Sequence, residues 1–413
     1  MRAAVDRSDP APLVSFAPMR RLTLLALAIA LVAPGDASAL DAQQVRTRVV
    51  KALAAAGPTT GAYAKNLETG EEIVSVRADN GRIPASVEKV FVTATALLRW
   101  GPDAELFTRV VTATELDADG TLEGNMWLVG GGDPTLTDDR LLELAENVHA
   151  NGVRRVSGGI RADDTLFDRR RGGPRTNFAP DYDMGGRLGA LLLGRGFQPD
   201  PAGYAAKRFA RMVRAQGVLV EGPTTKSRAP DDPEASELGS VPSPPMADLV
   251  RATLVPSDNF LAEMLLKGLG AGFGGGLGTT GSGAQVVKLT LAPYGITPRI
   301  VDGSGLSRAN STTPREVVRL FERMEDQEIA RTWRGSLAVA GRTGTVHDRM
   351  RGTPAAGRCR TKTGTINGVS NLAGICDTHG GVVGFAWLMN GVDPYGARKL
   401  QDRMTATLAR YDG

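Results

Sequence analysis

Apolar residues first crowd together between Leu22 and Ala33, directly after Met19-Arg20-Arg21 and before Pro34-Gly35-Asp36 and the small-residue run Ala37-Ser38-Ala39. A basic start, a short apolar stretch and a small-residue exit make the three-part pattern of a secretory signal, spanning residues 1–39 with cleavage expected after Ala39. The stretch is shorter than the roughly 20 residues that cross a bilayer, so an uncleaved anchor is the minor alternative. Residues 1–18 fit no part of such a signal, which makes Met19 a candidate start.

Beyond residue 39 the pattern alternates between short β-prone runs and longer helix-prone ones. Residues 59–66 and 72–76, joined by Glu68-Thr69-Gly70, predict a hairpin. Val87 to Trp100 contains neither Gly nor Pro and predicts a largely buried helix with Ser86 at its N-terminus. Strands are expected at 106–113, 121–129 and 154–162, helices near 138–150 and 202–216, and a Pro-, Asp- and Ser-rich linker from Pro223 to Pro245. Ser257 falls between helical segments, Gly268 to Gly283 reads as a flexible loop, and the tail predicts three strands and a closing helix from Pro394 to Leu408.

A chain of 413 residues is long for one core, so two domains are expected. The stretch between Lys89 and Ser257 is too long for a connection and predicts an insert at 103–240, leaving 40–102 and 241–413 as the main domain. The net charge of +4 is too small to imply a nucleic-acid partner. His149, His347 and His379 are scattered, which argues against a zinc site and against a Ser-His-Asp triad. Cys359 and Cys376 flank a predicted hairpin; they are either a disulfide, as an exported protein can keep, or two separate buried thiols.

Three strings carry chemistry: Ser86-Val87-Glu88-Lys89, Ser257-Asp258-Asn259 and Lys362-Thr363-Gly364-Thr365. A serine hydroxyl needs a base to become a nucleophile. Lys89, one helical turn on, can be that base if burial and a neighbouring cation such as Lys362 lower its pKa. Lys362 can also attract a substrate carboxylate. Ser257 can relay a proton to a leaving amine, and the Asn259 amide can hold Lys89 and a substrate carbonyl. Gly364 would leave room for substrate beside the strand. The N–H groups of Ser86 and Thr365 are the expected oxyanion donors, worth on the order of 3 kcal/mol each. Arg342-Thr343-Gly344-Thr345 mimics the third string but lacks its lysine and is set aside. The glycines of 268–283 contain dinucleotide-like spacings, but no strand leads into them.

With Gly130-Gly131-Gly132-Asp133-Pro134-Thr135-Leu136 and Asp302-Gly303-Ser304-Gly305-Leu306-Ser307-Arg308, these strings resemble the low-molecular-mass class C penicillin-binding proteins, the D-alanyl-D-alanine carboxypeptidase/endopeptidase family. The resemblance implies an α/β (α+β) penicillin-recognising fold, an antiparallel sheet between helices with one inserted mixed domain. It implies cleavage of D-Ala-D-Ala in peptidoglycan stem peptides, and of D-Ala cross-links, through an acyl-enzyme on Ser86, with β-lactams as covalent inhibitors. No metal or organic cofactor is expected, and the setting is the periplasm or outer cell-wall space. Substrate binding would fall to Lys362, Thr363, Gly364, Thr365 and Arg308, with Asp181 and Asp183 as weaker candidates. The chain departs from the family near Leu191-Leu192-Leu193-Gly194, where the insert is shorter than usual. A serine β-lactamase and a non-catalytic wall-binding module are the competing readings. The first would need a deacylating Glu-x-x-Leu-Asn string, which is absent from the sequence, and the second would not need all the groups named above.

Overall fold

The computed structural model describes residues 39–231 and 236–413. The predicted signal and both candidate starts lie outside the described residues, apart from Ala39. One antiparallel sheet of six strands runs in the order Ala338–Val339, Cys359–Ile366, Val369–Thr378, Gly381–Asn390, Thr60–Asn66 and Glu72–Val76. Its strand Gly381–Asn390 is apolar at nearly every position because both faces are covered. Along Gly381–Asn390, Val383, Phe385, Trp387 and Met389 pack on one side and Ala386 and Leu388 on the other. The first side is capped by helices Ala42–Ala54 and Pro394–Leu408, which pack on each other as well as on the sheet. The second is capped by helices Lys89–Trp100, Met246–Leu254, Asn259–Phe273 and Pro314–Glu325.

Residues 107–242 build two sheets of their own. Five strands run in the order Ser236–Pro242, Phe107–Thr112, Met126–Val129, Ile160–Asp163 and Thr225–Lys226, antiparallel at first and parallel thereafter. Three two-residue strands, Thr121–Leu122, Arg155–Val156 and Leu219–Val220, pair in parallel beside them. Helices Asp138–Ala150 and Pro201–Ala215 bury their apolar stripes against this region's separate core.

Three expectations change. The runs at 121–129 and 154–162 are each two strands, because the chain steps between sheets where Gly124 and Gly158 meet; a Cβ on Gly158 would lie 2.3 Å from the Gly124 carbonyl oxygen. The supposed linker 223–245 supplies two strands to the larger sheet. Most of the supposed loop 268–283 is helix, in Asn259–Phe273 and Thr280–Leu291. Several of its glycines serve close packing: Gly268 lies under the Trp100 ring, and a Cβ on Gly283 would come within 1.9 Å of the Leu266 carbonyl oxygen.

Candidate active site

The three strings meet although they are distant in sequence. Ser86 sits in a 3-10 turn, Ala85–Glu88, that runs directly into helix Lys89–Trp100. Ser257 lies in the bend between helices Met246–Leu254 and Asn259–Phe273, and Lys362 comes from strand Cys359–Ile366. Two of the junctions are strained: Ala85 and Ser257 hold φ of +45° and +65°, a left-handed conformation that costs a non-glycine residue about 1–3 kcal/mol. Asn371 helps hold the first bend, donating to the carbonyls of Ile83 and Pro84 at 2.9 and 2.7 Å.

Lys89 Nζ donates to Ser86 Oγ at 2.9 Å, to Asn259 Oδ1 at 2.7 Å and to the Ser304 carbonyl. Ser86 Oγ in turn donates to the Ser304 carbonyl at 3.3 Å. Lys89 is completely buried, and burial brings its pKa down from 10.5 to about 8 against the opposing pull of Asp302 and Glu263. The expected second cause, a neighbouring ammonium, acts the other way round. Lys362 is the one held well below the ordinary lysine range, first by burial and then by repulsion from Lys89.

Lys362 Nζ donates to Ser257 Oγ at 2.7 Å and to the Thr363 carbonyl at 2.8 Å, and its side chain is sealed from solvent. Its amine therefore lies behind the Ser257 hydroxyl and does not open on the cleft. Gly364 also serves another purpose than expected. A Cβ there would lie 2.4 Å from the Pro84 carbonyl oxygen and 3.2 Å from Ser86 N, so the missing side chain lets the strand pack on the Ser86 turn. Asn259 Nδ2, expected to face a substrate carbonyl, donates to the Asp183 carbonyl at 2.7 Å.

A cleft of about 440 Å³ opens on Ser86, Ser257, Thr363 and Thr365. Gly344, Thr345, His347, Asp348, Arg349 and Arg398 complete its lining. Thr345 belongs to the look-alike string set aside above; it accepts a hydrogen bond from Thr363 Oγ1 at 2.8 Å, so that string is a neighbour of the site rather than an accident. Arg308 stands outside the cleft lining, exposed, and donates to the Asn367 carbonyl at 2.8 Å in the turn that follows the Lys362 strand. The carboxylates of Asp181 and Asp183 both pair with Arg175 at 2.7 Å. Cys359 and Cys376 face each other across the hairpin and are bonded. Among the described residues no cluster of His, Cys, Asp or Glu could hold a metal ion.

Behind Lys89 lie acids that the strings alone did not single out as functional. Glu263 Oε1 accepts from the N–H groups of Gly303 and Ser304, and burial with the nearby Asp302 pushes its pKa up. Glu88, inside the first string, is fully buried with neither carboxyl oxygen partnered, and burial raises its pKa well above the ordinary range. Asp302 was visible as the first residue of a family-like string; Glu263, one helical turn beyond Asn259, carried no such signal.

Comparison with known proteins agrees with this geometry. The D-alanyl-D-alanine carboxypeptidase of Actinomadura sp. is 29% identical, over 96% of this chain and 89% of its own length. Carboxypeptidase DacB of Mycolicibacterium smegmatis is 31% identical, over 91% of this chain and 86% of its own. The crystal structure of penicillin binding protein 4 (dacB) from Haemophilus influenzae superposes with a TM-score of 0.76 at 20% identity, covering 88% of this chain and 99% of that one. The profile of the D-Ala-D-Ala carboxypeptidase 3 (S13) family matches residues 42–185 and 196–411, breaking off only across the short stretch around Leu191-Leu192-Leu193, so this chain belongs to the D-Ala-D-Ala carboxypeptidase 3 (S13) family.

Proposed function

We propose that this serine-type D-Ala-D-Ala carboxypeptidase works on peptidoglycan stem peptides through an ester on Ser86. The observation that carries the reading is the Lys89–Ser86 contact of 2.9 Å made by a lysine that burial brings to about 8. Neutral Lys89 takes the Ser86 proton as Oγ attacks the carbonyl of the penultimate D-Ala. The N–H groups of Ser86 and Thr365 receive the developing oxyanion. Proton return to the departing D-Ala amine runs through the Ser257 hydroxyl, which Lys362 orients from behind. Thr363 and Thr365, both on the cleft wall, supply hydroxyls for the substrate's terminal carboxylate. Water then enters, Lys89 removes its proton, and the acyl chain leaves Ser86. Asn259 holds Lys89 and the 181–184 turn in place.

A β-lactam presents a strained amide to the same serine and acylates it. In Haemophilus influenzae, penicillin binding protein 4 has been crystallised with a novel β-lactam. A peptidoglycan substrate places the protein outside the cytoplasm, in keeping with the predicted signal and the bonded cysteine pair. Among the described residues no helix is long and apolar enough to cross a membrane.

The test is intact-protein mass spectrometry of residues 40–413 after exposure to benzylpenicillin, beside Ser86→Ala, with D-Ala release followed from a pentapeptide and monomer release from a cross-linked dimer. The expected result is a stable adduct and D-Ala release that both vanish in the variant. Rapid turnover of the penicillin would move the assignment to a β-lactamase, and neither adduct nor release would leave a binding module.

A further inference from the structure

The loop Asp302–Ser307 touches both reacting side chains, because Lys89 Nζ and Ser86 Oγ each donate to the Ser304 carbonyl. A carbonyl orients an amine only while its own peptide is held. The N–H of that peptide, from Gly305, donates to Asp302 Oδ1 at 2.8 Å, and the two peptides leading into it are fixed by Glu263 Oε1, which accepts from Gly303 N–H at 2.9 Å and Ser304 N–H at 2.8 Å. Asp302 also secures the far side of the loop, accepting from Ser307 N–H and Asn310 Nδ2, each at 2.6 Å. Gly305, at φ +82°, lies so close to the nucleophile turn that a Cβ would come within 2.0 Å of the Ala85 carbonyl oxygen. The loop, the Ser86 turn and Lys89 thus form one packed unit.

Glu263 stands four residues after Asn259 on the same helix, which places both on one face. One face of one helix therefore supplies the amide that grips Lys89 and the carboxyl that grips the loop opposite. The arrangement is expensive for the fold: Glu263 is wholly buried and its second oxygen has no partner.

We infer that Glu263 is a positioning residue for Lys89: by fixing the two peptides that lead into Ser304 it sets the direction of the Ser304 carbonyl towards the lysine amine, and through it Lys89 towards Ser86. The inference deepens the reading of Ser86 as the acylated serine and rests on it. Reach should matter more than charge. Glu263→Gln keeps an oxygen in place for both N–H groups, whereas Glu263→Asp keeps the charge and withdraws it by one methylene.

The experiment measures benzylpenicillin acylation rates, kcat and KM on a pentapeptide, and hydrogen exchange of the 302–307 backbone, for the parent chain, both variants and Ser86→Ala. Glu263→Gln should acylate within about fivefold of the parent with parent-like exchange protection. Glu263→Asp should lose at least about thirtyfold in acylation and in kcat, with KM changed by less than about threefold and faster exchange across 302–307. Equal rates for all three, the reverse order of Asp and Gln, or unchanged exchange in Glu263→Asp would overturn the inference. An adduct on Ser86→Ala would instead remove the acyl-enzyme reading, while the exchange data judge the role of Glu263 by themselves.

Discussion

Around Ser86 the protein buries Glu88, Lys89, Glu263, Asp302 and Lys362, whereas the 107–242 region buries a continuous apolar core and holds its long charged side chains at the surface. There Arg155 meets Glu221 at 3.1 Å and Arg140 meets Glu143, all four partly exposed. Its two deepest acids, Asp133 and Asp163, are short and answered locally, by Thr135 in one case and by Thr165 and Ala229 in the other. Glu88 has no such answer. The 107–242 region follows the ordinary rules of an apolar core. The sheet core breaks them where Ser86, Ser257 and the lysines meet, which is where departures that cost stability are expected to be functional. Stability and chemistry should therefore respond separately to substitutions in the two regions.

The largest effect on stability belongs to the apolar core. Phe209 is fully buried there on helix Pro201–Ala215, and Phe209→Ala should cost about 3–5 kcal/mol. Denaturant melts would show the loss, while the folded fraction should still acylate within about twofold of the parent. A matching collapse of the acylation rate would mean that the two regions are not energetically separate.

Next comes pH. Lys89 acts as a base only when neutral, and its neutral form fills as pH rises through about 8. Acylation should fall about tenfold for each pH unit below that value and level off above it. A flat rate between about pH 6 and 8, measured by stopped-flow with a chromogenic β-lactam, would remove Lys89 from the base role.

The smallest effect should be a gain. Above the ordinary carboxyl pKa of 4.5 the unfolded chain releases the Glu88 proton while the folded chain retains it, so wild-type stability falls as pH rises through that window. Glu88→Gln carries no such penalty. Its melting temperature should exceed the parent's by a margin that grows from pH 5 towards neutrality, at about 2–4 °C for each kcal/mol recovered. A constant or shrinking margin would show that Glu88 is ionised in the fold.

Much of this was readable along the chain. The hairpin at 59–76, the helix after Ser86, the bend at Ser257 and the closing strands and helix follow from short-range rules of pattern, proline and glycine, and the structure has them at Thr60–Val76, Lys89–Trp100, 255–258 and Cys359–Leu408. The strands at 121–129 and 154–162 were misjudged because a glycine that lets the chain change sheets looks the same, in one dimension, as a glycine inside a strand. Gly268 to Gly283 looked flexible for the same reason. A missing side chain gives freedom in an open loop and intimacy between two helices, and only the neighbour decides which.

The sequence by itself determined which functional groups were present and in what order: a serine with a lysine one turn away, a hydroxyl and amide at a bend, and a second lysine on a strand. Those are local facts, carried by residue identity and spacing. Tertiary structure alone decided that Lys362 is sealed behind Ser257, that Gly364 admits the Ser86 turn, that Thr345 borders the cleft and that Glu263 holds the N–H of the residue whose carbonyl faces Lys89. Each of these depends on burial or on a contact between segments far apart in sequence, and neither burial nor such contacts can be read from residue order.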